Sequence, residues 1–183
     1  DNYYFLCYNK RQIILKGGFL MSIFNDIEMK IKSLSPGAYQ RLCSEYAYKK
    51  YNLTNMSDIG GKEGTDKTTI GVPDSYSLDE NDKYLFFMYG TVESSPVSKI
   101  ESDIKDAHNP EKTGISIDKV DKIICFHTNT NMRASSKEKL INLYDDVKIE
   151  LVDIDSMTHD IYNCYPFLAF DHLGIPIDSN QIS

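Results

Sequence analysis

Residues 64–91, GTDKTTIGVPDSYSLDENDKYLFFMYGT, decide how this chain is expected to fold. Thr68 to Tyr76 is β-prone, the run DEND favours a turn, and Lys83 to Val92 is a strongly apolar strand. We therefore predict a β-hairpin that carries Asp74 in its first strand. The second strand carries Met88, a thioether, rather than a second carboxylate.

The segments around the hairpin alternate between helical and strand patterns. Helices are predicted for Ser22 to Leu34, Pro36 to about Tyr51, Val97 to about His108, Ser135 to Val147, and a final region that begins at Ser156 and is divided by Pro166. Short apolar strands are predicted for Lys122 to Thr128 and for Lys148 to Ile154. The order predicts an α/β fold with a mixed central sheet flanked by helices on both faces. No repeat or linker interrupts it, so residues 21–183 are predicted to form one domain.

Bulk composition limits the class of protein. The 183 residues are 41% hydrophobic and 26% charged, which is enough apolar sequence for one globular domain with a core. No run is long and apolar enough for a membrane helix, so no membrane partner is expected. The net charge of −7 does not attract a polyanion over long range, and any nucleic-acid function must therefore rest on a local site.

The four cysteines are widely spaced and form no zinc-like pattern. They are Cys7, Cys43, Cys125 and Cys164. Three lie in apolar contexts that are typical of buried free thiols, which favours a reducing compartment. We expect a cytoplasmic location.

The first twenty residues differ from the rest of the chain. They have neither the apolar run and cleavage site of a signal peptide nor the features of a transit peptide. Met21 opens MSIFNDIEMKIKSL, which looks like an ordinary protein start. Codons for Lys16-Gly17-Gly18 can spell a purine-rich ribosome-binding sequence. We expect translation to begin at Met21, with residues 1–20 as a non-native or flexible leader; a genuine N-terminal strand or arm is the alternative.

The order of elements resembles the PD-(D/E)XK superfamily, which has the restriction-endonuclease-like fold. There, a helix carrying a Glu precedes a hairpin with Asp in one strand and an acid-x-Lys motif in the next. Glu45 lies on the helix before the hairpin, and Asp74 lies in its first strand. The resemblance implies that these two carboxylates share a cleft and hold Mg²⁺, which stabilises charge on a scissile phosphate. Met88 would line the floor of that cleft.

Further stretches narrow the resemblance. The runs GTDKTTIGVPDSY, YLFFMYGT, DIKDA, IELVDIDSM and FLAFDHLGIPIDSNQI are similar to nuclease-fold domains at the N-termini of large bacterial proteins. Many of those proteins are signal-transducing ATPases associated with phage defence. The resemblance covers roughly Leu34 to Ile182 and implies antiviral defence, DNA as a partner, and further domains or a protein partner after Ser183. Homo-oligomerisation stays open.

One departure from the family pattern concerns the second motif. Met88 falls at the position of the acid and Gly90 at the position of the Lys, and neither can bind a hard cation or transfer a proton. Lys67, just before the first strand, and Lys105, on the helix after the hairpin, are the candidates to supply the missing ammonium. The predicted active site is therefore degenerate.

The same residues have ordinary structural interpretations. Asp74 after Pro73 can form a turn or cap backbone amides, and Glu45 can be a solvated helix residue. His127 ends a buried strand, where doubly wound sheets place ligand-binding groups, although a satisfied structural histidine is favoured there. The run GGKEG lacks the Lys-Ser/Thr ending of a phosphate loop.

Three classes of function therefore stay open. The first is a metal-dependent endonuclease domain that hydrolyses DNA phosphodiesters. The second is a nuclease fold that binds nucleic acid or protein without cutting, and the third is a protein-interaction module whose acidity suits a basic partner. Met88 and Gly90 are the residues that distinguish the first class from the second. The salt dependence of DNA binding distinguishes the third class from both, because contacts with phosphates weaken steeply with salt.

Overall fold

The computed structural model describes residues 17–59, 71–91, 96–129 and 132–177. Within these ranges the helices are α1 (Gly17–Lys32), α2 (Pro36–Lys50), α3 (Pro96–His108), α4 (Pro110–Thr113), α5 (Ala134–Ile141), α6 (Ile154–Asn163) and α7 (Pro166–Leu173). The strands are β1 (Ser57–Asp58), β2 (Ser75–Leu78), β3 (Tyr84–Gly90), β4 (Val120–His127) and β5 (Lys148–Asp153). Each predicted helix and strand has a counterpart among them.

The five strands form one mixed sheet in the order β1-β2-β3-β4-β5. The pairs β1-β2 and β2-β3 are antiparallel, whereas β3-β4 and β4-β5 are parallel. The two parallel connections pass through α3 and α5, as parallel strands require a crossover. The predicted fold class, an α/β fold with a mixed central sheet flanked by helices, is confirmed.

The hairpin β2-β3 forms around the predicted turn, although its first strand begins later than predicted. Its turn is closed by Asp79, whose Oδ1 accepts hydrogen bonds from the backbone N–H groups of Asn81 (2.8 Å) and Lys83 (2.9 Å). Asp82 takes a positive φ of 57°, which Asp tolerates better than most residues. Local turn chemistry therefore sets the register of the two strands that carry the predicted motifs.

The two faces of the sheet are covered by different helices. Phe86 and Met88 pack into a core with Ile104 of α3. Phe87 points the other way and its ring lies 5.9 Å from that of Tyr51, the residue that ends α2. This alternation is the period of two expected in a strand, and it puts α3 and α2 on opposite faces.

The helix ends follow capping rules. The Ser35 hydroxyl accepts a hydrogen bond from the N–H of Ala38 at 3.3 Å, with Pro36 in the first turn of α2. The helix α7 ends at Gly174, which has a φ of 67°. No helix among the described residues has the length and apolar character needed to cross a membrane.

The chain divides into two compact units. One comprises Leu34–Ile154 and holds the whole sheet with α2 to α5. The other holds α1 with α6 and α7, and within it the ring of Phe24 lies 4.8 Å from that of His159 and 4.6 Å from that of Tyr162. Helix α1 begins at Gly17, so the last residues of the predicted leader belong to a described helix; residues 1–16 lie outside the described residues.

Several predicted bounds are corrected. Helix α1 is Gly17–Lys32 instead of Ser22 to Leu34, and α6 begins at Ile154 instead of Ser156. Of the strand predicted for Thr68 to Tyr76, residues 71–74 form no strand and β2 begins at Ser75, while residues 68–70 lie outside the described part of the chain. The helix predicted to run to Val147 ends at Ile141, because the chain turns at Asn142. Asp74 therefore lies just before its strand rather than within it.

Candidate functional site

The predicted motif positions meet at one end of the hairpin. Ser75 pairs with Phe87, so continuing the register by one residue places Asp74 opposite Met88. The N–H of Tyr89 donates to Asp74 Oδ2 at 2.7 Å, and the N–H of Ile59 donates to the Asp74 carbonyl at 2.8 Å. These two bonds fix both the backbone and the side chain of Asp74.

The Asp74 carboxyl group is electrostatically perturbed. Burial raises its pKa to about 6, and the hydrogen bond from Tyr89 opposes that shift. The nearby carboxylate of Asp103 raises the pKa further, whereas the ammonium of Lys99 lowers it. Such a shift by burial and a second charge is common at functional sites, although structural networks also produce it.

Helix α3 supplies the second carboxylate. Asp103 is half-buried, burial raises its pKa, and an ion pair with Lys99 four residues earlier lowers it in part. Both Asp103 and Asp74 raise the pKa of the buried thiol of Cys125 on β4. The two carboxylates therefore both lie near Cys125, and Asp74 also raises the pKa of the Cys43 thiol on α2.

Met88 and Gly90 have different surroundings. Met88 is 5% exposed and packs against Ile100 and other residues of the α3 core. Gly90 is half-buried, and a Cβ added to it would lie 3.6 Å from the Phe126 carbonyl oxygen and 4.0 Å from Asp103 Oδ2. Both are ordinary contact distances, so the glycine leaves room for a side chain that points towards Asp103.

The other predicted residues lie elsewhere or outside the described residues. Glu45 is half-buried on α2, whereas the charged groups that shift the pKa of Asp74 both belong to α3. Lys105 is exposed and its Nζ lies 2.7 Å from Glu101 Oε1. Lys67 lies outside the described residues. A shared cleft for Glu45 and Asp74 stays a prediction, since Asp74 also acts on Cys43 of α2. The structure brings Asp74 close to Asp103 and Lys99 of α3.

Sequence reasoning missed Lys99 and Asp103. Their signal was a Lys and an Asp four residues apart on the helix that follows the hairpin, which is the spacing of an ion pair on one helix face. Lys105, six residues after Lys99, falls on the flank of α3 that carries Glu101, whose second oxygen lies 3.4 Å from Lys139 Nζ of α5. The positions of Lys99 and Lys105 around the axis of α3 therefore decide which of them lies near Asp74.

The candidate site continues across the sheet along the carboxyl ends of β3, β4 and β5. Gly90 pairs with His127, and His127 pairs with Asp153, at the carboxyl ends of three parallel strands. His127 is 4% exposed, and among the described residues its Nδ1 has no hydrogen-bond partner. Burial lowers the pKa of His127, Asp153 opposes this effect, and the ammonium of Lys137 adds to it.

The donor set does not by itself fit Mg²⁺. Magnesium prefers oxygen ligands in octahedral geometry, but Asp74 faces a thioether and Asp103 is neutralised by Lys99. Among the described residues no three His, Cys, Asp or Glu side chains are close enough to hold a metal ion. The degenerate active site that Met88 and Gly90 indicate stays a prediction.

Comparison with protein-family models, curated proteins and solved structures found no match to this chain. Inferences about its function therefore depend on its own residues and geometry.

Proposed function

We propose that the chain is a restriction-endonuclease-like domain that acts on DNA in bacterial defence, with an incomplete metal site. The observation that carries this proposal is the register of the hairpin, which sets Asp74 opposite Met88 after helix α2 and before the crossover α3. This is the order that the PD-(D/E)XK resemblance implies. The perturbed pKa of Asp74 supports a role for this carboxyl group beyond that of a turn residue.

The missing groups lead us to expect little cleavage from the isolated chain with magnesium or manganese. Mg²⁺, where a complete site binds it, supplies positive charge to the scissile phosphate. Asp74 is one fixed carboxylate, and one carboxylate with a thioether opposite it cannot hold an octahedral ion. The acidic surface also disfavours DNA capture.

Met88→Glu tests the proposal by supplying the second carboxylate. We expect the variant to be about 2–4 kcal/mol less stable than the unmodified protein without cations, because the new charge is buried, and to regain stability when Mn²⁺ or Mg²⁺ is added. Cation affinity is measured by calorimetry and stability by thermal unfolding. Tyr84→Glu is the matched control, since it puts the same charge at the far end of β3.

The outcomes separate the parts of the proposal. Equal cation binding by Met88→Glu and Tyr84→Glu would overturn the Asp74 site. Adding Gly90→Lys to Met88→Glu supplies the ammonium as well, and this double variant should cleave DNA at least as fast as Met88→Glu alone. A Cβ at Gly90 makes only ordinary contacts, 3.6 Å from the Phe126 carbonyl oxygen and 4.0 Å from Asp103 Oδ2. Robust cleavage by the unmodified protein, lost in Asp74→Ala, would contradict the incomplete site while supporting the fold assignment.

A second candidate is a nuclease fold that binds nucleic acid or protein without cutting. The ion pair between Lys99 and Asp103 favours it, since it occupies the carboxylate nearest to Gly90. Its DNA affinity would fall steeply with salt and be unchanged by chelators. Cytoplasmic location, a partner domain or protein beyond Ser183, and self-association belong to the same proposal and are tested on the full-length native protein.

A further inference from the structure

The candidate site has a third side, which the Asp74 pocket does not use. His127 ends β4 beside Gly90, and adjacent strands lie about 4.8 Å apart. Cys125, two residues earlier, packs into the α3 core, so the alternation of β4 puts His127 on the face that α3 covers. Gly90 has no side chain to separate the imidazole from the space next to Asp103.

The imidazole is buried with one nitrogen unused. The backbone of Asn129 hydrogen-bonds to the ring, yet nothing among the described residues bonds to Nδ1. A buried polar atom without a partner is uncommon, because it loses its bonds to water without compensation. Burial keeps the ring neutral, which leaves a lone pair free to accept a proton.

The neighbouring charges favour that role. Asp153 lies in register on β5 and stabilises the charged form of the ring, while Lys137 of α5 lies 3.4 Å from Asp153 Oδ2 and disfavours it. Beyond Gly90, the charged groups on α3 are Asp103 and Lys99. Asp153 and Lys137 are therefore the charged groups that act on the ring, and the pair of Asp103 and Lys99 lies on the other side of Gly90.

We infer that His127 Nδ1 binds and deprotonates the water that attacks a DNA phosphodiester, in place of the lysine that is absent at Gly90. This inference rests on the proposed function. Nδ1 takes one proton from water as the water oxygen bonds to phosphorus. The bond from phosphorus to the leaving oxygen breaks with its electron pair on that oxygen, which takes a proton from solvent, and Nδ1 returns its own proton to solvent.

The experiment uses Met88→Glu as the parent, since that change supplies the carboxylate whose absence limits cleavage. Adding His127→Gln should lower the cleavage rate about 100-fold or more, the usual size of a general-base contribution. Gly90→Lys in that double variant should restore cleavage, because the lysine then takes the proton. The rate of the parent should rise with pH and level off, and His127→Gln should remove this rise.

A matched control comes from the other end of α3. His108 Nε2 lies 2.9 Å from Asp146 Oδ1, and the His108 ring stacks on Tyr144 at 3.6 Å. His108 lies five residues after Asp103, which is about 7.5 Å further along α3, and its ring is held by Asp146 and Tyr144 instead of by the candidate site. His108→Gln should leave the cleavage rate of the parent unchanged.

The results separate this inference from the proposed function. Cleavage by Met88→Glu that survives His127→Gln overturns the inference and leaves the function standing. If Met88→Glu binds no cation and the double variant with Gly90→Lys does not cleave, both are overturned. If the double variant cleaves and Met88→Glu alone does not, only the inference is overturned. Nitrogen-15 spectra of the histidine rings test the unmodified protein directly and need no activity. We expect an unprotonated Nδ1 on His127 at pH 7, and a protonated Nδ1 overturns the inference alone.

Discussion

Polar groups at the carboxyl end of β3 differ in their hydrogen bonding between the two faces of the sheet. On the α2 face the Tyr89 hydroxyl bonds to Ser75, and the Ser44 hydroxyl donates to Asp58 Oδ1 at 3.0 Å. On the α3 face Asp74 carries a raised pKa and His127 has an unused nitrogen. The Tyr89 and Ser44 hydroxyls therefore have protein partners, whereas Asp74 carries a buried charge and His127 Nδ1 has no partner among the described residues. The contrast holds for these groups and not for every polar atom, since Gln40 Nε2 on α2 is also buried without a partner among the described residues.

This difference separates structural from functional polar groups. A fully bonded network makes a packed face rigid, and its members need no further explanation. Charged or unpaired groups under partial burial lower stability and are more typical of sites that bind or react. The comparison therefore predicts opposite signs for the effects of conservative substitutions at Tyr89 and Asp74 on the free energy of unfolding.

Tyr89→Phe removes a hydrogen bond on the α2 face of the sheet and has the largest expected effect on stability. The change removes a buried hydroxyl and leaves the Ser75 hydroxyl, at 0% exposure, without this partner. We expect a loss of about 1–3 kcal/mol in the free energy of unfolding, measured by urea denaturation. Tyr84→Phe on the same strand is the control, because its hydroxyl makes no hydrogen bond among the described residues, and its stability should not change. If Tyr89→Phe and Tyr84→Phe lower the free energy of unfolding equally, the hydrogen bond to Ser75 does not explain the loss.

Asp74→Asn should stabilise the protein, whereas Tyr89→Phe should destabilise it. The amide oxygen can still accept the N–H of Tyr89, while the buried charge is lost. Because the folded pKa is raised to about 6, the stability linked to Asp74 is fully present below the unfolded value near 4 and is lost as pH rises through 6. We expect a gain of about 1–2 kcal/mol at pH 7, after allowance for partial exposure.

The pH dependence of unfolding measures this prediction. The unmodified protein should lose stability between about pH 4 and 6 from this group, and Asp74→Asn should lack that part of the loss. Lower stability of Asp74→Asn at every pH would show that the carboxylate is a structural cap, as its position after Pro73 also allows.

Much of this architecture could be predicted from the sequence, because it depends on local patterns. The run YLFFMY is apolar on both faces of its strand, and DEND closes a turn, so the hairpin needed no tertiary information. Strand β1, Ser57–Asp58, was missed because two residues are too short to leave a pattern. Its pairing with β2 depends on the fixed backbone next to Asp74.

The site was less predictable because it depends on how elements pack. Asp74 and Met88 could be matched by spacing along one hairpin. The approach of Asp103 to Gly90 depends on the rotation of α3 over the sheet, which no local pattern encodes. The unused Nδ1 of His127 is likewise invisible in a sequence, where a satisfied histidine was the favoured interpretation.

Lys99→Gln sharpens the comparison within one helix and has the smallest expected effect. Lys99 and Lys105 each pair with an acid four residues away on α3, and both lysine side chains are about half exposed. Only the Lys99 pair borders the site, where its ammonium lowers the pKa of both Asp103 and Asp74. Lys99→Gln should therefore raise both values and cost about 0.5–1 kcal/mol at pH 7, most of which should disappear at acid pH once the carboxyl groups are protonated.

Lys105→Gln is the matched control for this last prediction. Its partner Glu101 lies on the other flank of α3 and does not act on Asp74, so the substitution should leave the titration of Asp74 unchanged. Carbon-13 spectra of the carboxyl groups measure that titration directly. If Lys99→Gln leaves the Asp74 titration where it was, the ammonium does not act on the site and the pairing with Asp103 is only a surface contact. If both lysine variants shift the Asp74 titration equally, the position of a lysine around the axis of α3 does not decide its effect on Asp74.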